Sequence, residues 1–120
     1  MCRRDGMPVS VPVNNSRQAE LLRKMRGLLE PAFGQRLQGL VLYGSEARGT
    51  ADADSDIDLL VLLTGPVNHQ RDSWACVRAL YPLVLELNGR PIHAKPVDVE
   101  RYEAGDWPLF AEAKKEGILA

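Results

Sequence analysis

Two apolar runs joined by a polar stretch limit this chain's fold more than any other feature. The first run, Leu40, Val41, Leu42 and Tyr43, stops at Gly44; residues 44–63 then read GSEARGTADADSDIDLLVLL and end in a second apolar run at 59–63. The pattern is that of a strand, a loop of phosphate size, and a second strand whose first residues carry two carboxylates. Asp56 and Asp58 are two apart, so on a strand their side chains share one face while Ile57 and Leu59 take the other. Two like charges that close call for a cation, and Mg²⁺ takes carboxylate oxygens, water and phosphate. Two such ions about 3.5–4 Å apart can hold an attacking and a leaving oxygen in line for phosphoryl or nucleotidyl transfer. Gly44 and Ser45 offer backbone free of bulk, N–H donors and a hydroxyl for phosphates, and Arg48 is placed to contact phosphate or brace the aspartates. The bland alternative, a polar hairpin loop capped by Ser45 and Ser55, leaves two aspartates unexplained at the start of a buried strand.

The flanking segments read as a small α+β domain. Residues 1–14 show no period and read as a tail, with Arg3 and Arg4 at most a small basic arm. After an Asn15–Ser16 cap, Leu21, Leu22, Met25, Leu28 and Leu29 recur at helical steps, predicting an amphipathic helix of about four turns that ends near Pro31 and Gly34. Its Arg17, Arg23, Lys24 and Arg26 form a solvated face. Residues 37–43 predict the first strand, 45–49 a helical turn, 50–55 a loop and 56–63 the second strand. From Asn68 to Asn88, apolar residues at Trp74, Val77, Leu80, Tyr81, Val84 and Leu87 again follow helical steps. Pro82 interrupts them at a cost of about 3 kcal/mol in a helix interior. Either one kinked helix covers about 69–88, or a helix ends at Tyr81 and a strand follows at 83–87. Asn88–Gly89 suits a helix C-cap. Residues 91–97 (PIHAKPV) predict an edge strand bounded by prolines, Asp98 the cap of a short helix, and 106–115 a last helix stopped by Gly117.

Composition narrows the function classes. A chain of 120 residues with 45% apolar and 26% charged content is one ordinary domain, here taken as 15–120. Fifteen basic against sixteen acidic residues, a net charge of −1, do not indicate nucleic-acid binding. Cys2 and Cys76 lack the spacing of a zinc site or a disulfide framework. The absence of a signal peptide or a membrane-length apolar run points to a cytoplasmic protein with no membrane partner.

Taken together, GSEARGTADADSDIDLLVLL resembles the signature of the minimal nucleotidyltransferases of the DNA polymerase β superfamily, GSxARG, a spacer, then SDxDLxV. Gly44, Ser45, Ala47, Arg48, Gly49, Ser55, Asp56, Asp58 and Leu59 all match. More loosely, GPVNHQRD, PIHAKPV with the acidic helix after it, and PLFAEAKKEGI are similar to stand-alone members in which a helix precedes the third strand. That favours the kinked helix over 69–88. The resemblance implies the polymerase-β-like fold, with a short mixed sheet and helices packed on one side. It also implies Mg²⁺-dependent transfer of a nucleoside monophosphate, AMP from ATP, with release of pyrophosphate. Gly44, Ser45, Arg48 and Ser55 would hold the nucleotide, and Asp56 and Asp58 the metal. The family's third acid has no clear counterpart. The best alignment puts His93 in its place, with Glu86 the substitute if 83–87 is a strand and Asp98 if the register shifts. Members this small usually accompany a helical HEPN-type toxin, so the resemblance implies an antitoxin that binds and modifies a hydroxyl of such a partner. Its alternatives are a weakly active or inactive antitoxin acting by contact, and an aminoglycoside-type adenylyltransferase, against which the missing second domain argues. Trp74, Trp107 and Phe110, where exposed, are the candidate partner contacts.

Overall fold

The computed structural model describes residues 16–44, 55–105 and 118–119. Helix α1 (Ser16–Phe33) leads through a 3₁₀ turn (Gly34–Arg36) into β1 (Leu37–Tyr43). Then come β2 (Ile57–Leu63), α2 (His69–Glu86), β3 (Ile92–Asp98), α3 (Val99–Ala104) and the two-residue β4 (Ile118–Leu119). The sheet order is β3-β2-β1-β4, with β2 parallel to β3 and β1 antiparallel to both β2 and β4. This is the expected small α+β domain with a short mixed sheet. The expected tail at 1–14, the helical turn at 45–49, most of the 50–55 loop and the helix at 106–115 lie outside the described residues. Strand β4 was not expected.

Alternation along the strands sorts the core into two layers. Ile57, Leu59, Val61 and Leu63 of β2, with Leu37, Leu40 and Leu42 of β1, meet Leu21, Leu22, Met25, Leu29 and Phe33 of α1 and Cys76, Leu80 and Leu83 of α2. Leu37 and Leu40 share that face despite their odd spacing because the ladder slips between Leu37 and Gly39, a bulge that adds one residue and turns the strand. The opposite face carries Val41, Leu60, Leu62 and Val97, covered by Tyr102 of α3. The two long helices therefore share one side of the sheet, and among the described residues the other side is covered by α3 alone.

Local chemistry explains most boundaries. The Asn68 side chain caps α2 by accepting from Arg71 N, and Asp98 caps α3 by accepting from Glu100 N at 2.9 Å. Asn88 (φ 60°) and Gly89 (φ 84°) turn the chain out of α2, with Gly89 N donating to Val84 O at 2.8 Å. Pro82 lies within α2. It is exposed, so the carbonyl of Arg78 that it orphans lies towards water. The turn after β2 is tied down by Arg36, whose Nη1 and Nη2 donate to Asp72 Oδ1 at 3.2 Å and Oδ2 at 3.0 Å, and which also reaches the carbonyls of Thr64 and Pro66. Three of the α1 cations also have ion-pair partners. Arg23 pairs with Glu20, Arg26 with Glu30, and Lys24 with Glu86 of α2.

Helix α2 departs from the expected stripe. Its buried positions are Asp72, Cys76, Leu80 and Leu83, whereas Trp74, Val77 and Tyr81 are exposed. Apolar residues occur on two sides of this helix, and spacing alone does not say which side meets the sheet.

Candidate active site at the open end of the sheet

The β1–β2 ladder pairs Tyr43 with Asp58, and the β2–β3 ladder pairs Asp58 with His93. The C-terminal end of β1 and the N-terminal ends of β2 and β3 thus meet at one rim. By alternation, Asp58 and His93 belong to the face of Leu60, Leu62 and Val97, opposite the long helices. Asp56, just before β2, reaches the same place, its Oδ2 lying 2.9 Å from His93 Nε2. Both side chains stay open to solvent, 53% for Asp56 and 61% for His93, as a site for an incoming substrate requires.

Gly44 closes the floor. Its φ of 75° is left-handed, and a β-carbon built there would stand 2.5 Å from Asp58 Oδ2. Glycine alone fits both the backbone and the gap. Next to it, the Tyr43 phenol is pushed above its ordinary range by burial and then by the Asp58 charge, so it stays neutral beside the carboxylates.

Of the remaining candidates, Ser55 lies at the bend before Asp56, its carbonyl accepting from Arg90 Nε at 2.5 Å. Ser45 and Arg48 lie outside the described residues. Glu86 does not come to the site: it sits on α2, facing Lys24 of α1. Asp98 pairs with Leu63 at the far end of β2, five residues along β3 from His93 and so about 16 Å away. Of the three residues weighed for the third position, His93 alone stands beside Asp58.

Two residues near the rim were not read from the sequence. Arg90 is buried to 5% exposure and grips the backbone one residue before Asp56, while Ile57 N donates to the Pro91 carbonyl at 2.9 Å. An arginine after an Asn-Gly turn carries no signal for this bracing role. Lys95 lies two residues beyond His93 on the same strand face, where β-alternation would have placed it.

The donor set fits a divalent cation that arrives with phosphate. Mg²⁺ is commonly held by one or two carboxylates together with substrate phosphates, and Asp56 and Asp58 are such a pair. Among the described residues, no group of three or more His, Cys, Asp or Glu is placed to hold a metal by itself. No helix among them is long and apolar enough to cross a membrane.

Comparison with known proteins gives the family and the fold. The family described as a nucleotidyltransferase domain matches residues 20–119. No curated protein matches the chain. Among solved structures, one described as a toxin–antitoxin with AMP-PNP aligns at a TM-score of 0.59 and 22% identity, covering 81% of this chain and 69% of the other. At that identity the likeness is one of fold.

Proposed function

The chain belongs to the nucleotidyltransferase domain family, and from that premise we propose that it transfers AMP from ATP to a hydroxyl of a partner protein, as the antitoxin of a HEPN-type toxin. In this reading residues 15–120 form one nucleotidyltransferase domain. The observation that carries it is the placement of Asp56 and Asp58 on one open rim between Gly44 and His93. The fold shared with a toxin–antitoxin bound to AMP-PNP supports both the nucleotide and the kind of partner.

Asp56 and Asp58 would hold Mg²⁺, which when bound neutralises the triphosphate and polarises the α-phosphate. The unencumbered Gly44 backbone, with Ser45 and Arg48, would cradle the phosphates, and Arg90 would fix the Ser55–Asp56 backbone. Asp56 Oδ2 is engaged by His93, which leaves Oδ1 for the cation. With Nε2 protonated towards Asp56, His93 Nδ1 would take the acceptor's hydroxyl proton. The acceptor oxygen then bonds to the α-phosphorus as the bond to pyrophosphate breaks, and the Asp56 charge steadies the imidazolium.

The test is magnesium-dependent labelling of a purified HEPN-type partner from α-labelled ATP. Asp56→Asn is expected to lose about 10³-fold or more in rate, the scale on which removing a key electrostatic group acts; equal labelling by variant and wild type refutes the proposal. His93 stands beside Asp58, and the resemblance that puts it in the place of the family's third acid favours a second reading, an antitoxin that binds nucleotide and neutralises by contact. Under it Asp58→Asn still neutralises the partner, and loss of neutralisation with binding intact counts against it. A small-molecule adenylyltransferase of the aminoglycoside type would instead label a free aminoglycoside.

A further inference from the structure

The outward side of α2 is as apolar as its buried side. Trp74, Val77, Tyr81 and Leu85 are each 55–62% exposed. At about 100° per residue, Trp74, Tyr81 and Leu85 fall within about 40° of one another and opposite Cys76, Leu80 and Leu83. A helix apolar all round is normally buried on both sides, and exposed patches of this kind mark interaction surfaces. One edge of the stripe is cationic. Arg78 is exposed and has no ion-pair partner among the described residues. Arg71 sits 3.6 Å from Asp72, a carboxylate already held bidentately by Arg36. The opposite edge is Gln70 and Val77, without charge.

This asymmetry selects the occupant. A stable interface takes about 800 Å² per partner, more than four side chains offer, so it must spread onto the edges. In an antiparallel two-fold pairing of α2 with its copy, the arginine edge meets its own copy and four guanidinium groups line one seam. A parallel two-fold pairing sets arginines against Gln70 and Val77. Neither symmetric arrangement supplies a carboxylate.

We propose that the Trp74–Val77–Tyr81–Leu85 face of α2, with its Arg71–Arg78 edge, is a docking surface for an amphipathic helix of a partner protein that carries large apolar side chains edged by carboxylates. The surface lies on the helix-covered side of the sheet, away from the rim that bears Asp56, Asp58 and His93, so a partner seated there leaves that rim open. The inference goes beyond nucleotidyl transfer, and the two fail separately.

The test uses the full chain and two synthetic helical peptides with the same leucine face, one edged by glutamates and one by lysines, titrated calorimetrically. The glutamate peptide is expected to bind, with affinity falling about tenfold or more in Trp74→Ala and in Arg78→Glu. Both substitutions sit on the surface, and binding of Mg²⁺–ATP should not change in either. Equal binding of the lysine peptide, or indifference of the glutamate peptide to both substitutions, overturns the proposal. So does failure of the glutamate peptide to bind, whether the chain sediments as a monomer or as a dimer that Trp74→Ala splits.

Discussion

Replacing Gly44 with alanine separates what the backbone needs from what the carboxylate needs. The left-handed φ of 75° at this position costs a residue with a β-carbon about 1–2 kcal/mol. For a chain of 120 residues, that lowers the melting temperature by about 4–8 °C. The new methyl would also stand 2.5 Å from Asp58 Oδ2 but 3.4 Å from Cγ and 3.5 Å from Cβ. Only the end of the side chain is in the way, so the carboxylate swings aside and the strands stay put. The oxygen must retreat by about 0.5–1 Å to reach van der Waals distance, and Mg²⁺ tolerates about 0.2 Å in its ligand distances. Binding of Mg²⁺ with a non-hydrolysable ATP analogue should therefore weaken about 10–100-fold, the range seen when a ligand's support is disturbed. Gly89 provides the control: its φ is 84° and nothing lies within 4 Å of a built β-carbon. Gly89→Ala should show the same thermal loss with unchanged nucleotide affinity. Calorimetric titration and thermal denaturation of the two variants decide the matter. If both keep wild-type affinity, or lose it alike, Asp58 is not holding the metal from the position described.

The Arg36–Asp72 pair sets a pH dependence. The Arg36 guanidinium, donating to Asp72, holds this carboxyl below its ordinary value, with Asn68 N adding to the effect against burial. A carboxyl depressed in the folded state stabilises it fully above the unfolded value of about 4, and the contribution fades as pH falls through the lower folded value. Asp72→Asn should cost about 2–3 kcal/mol in urea unfolding at pH 7, since Arg36 is partly exposed, and the gap to wild type should narrow by pH 3. Cys76, pushed up to about 12 by burial and the nearby Asp72, should resist alkylation in the native state at pH 8 and react only on unfolding, as mapped by mass spectrometry; rapid native labelling would contradict its burial.

Much of the fold was legible because its punctuation is local. The runs at 40–43 and 59–63 are unbroken apolar stretches bounded by Gly44 and by Asp58, and β3 announces itself through Pro91 and Pro96, the latter tolerated because this strand is an edge of the sheet. The helical reading of 69–88 survived Pro82 because that residue faces water. What spacing did not contain was orientation. Helix α2 has apolar residues on both sides, and which of them met the sheet depended on α1 and the strands. Strand β4 is two residues after a glycine, too short to carry a period, and the bulge beside Gln38 is visible only in the ladder. At the candidate site, the pairing of Asp56 and Asp58 on one face was evident from their alternation, whereas the placement of His93, and not Glu86 or Asp98, beside Asp58 needed a strand register. The brace from Arg90 is a tertiary contact with no local trace.

The position of β3 in the sheet bears on how such a chain can change over time. Asp58 is on an interior strand whose neighbours Ile57 and Leu59 are fully buried, so the carboxylate proposed to hold the metal is tied to the integrity of the core. His93 stands on the outermost strand, paired on one side alone and largely open to water. An exchange there between imidazole, carboxylate or an inert side chain removes no packing. In the proposed reading, the capacity to retain a nucleotide and the capacity to consume it are thereby held by strands under different constraint. If His93 is the proposed base, a change at this one residue on the margin of the sheet would shift the chain between enzyme and pure binder without re-solving the folding problem.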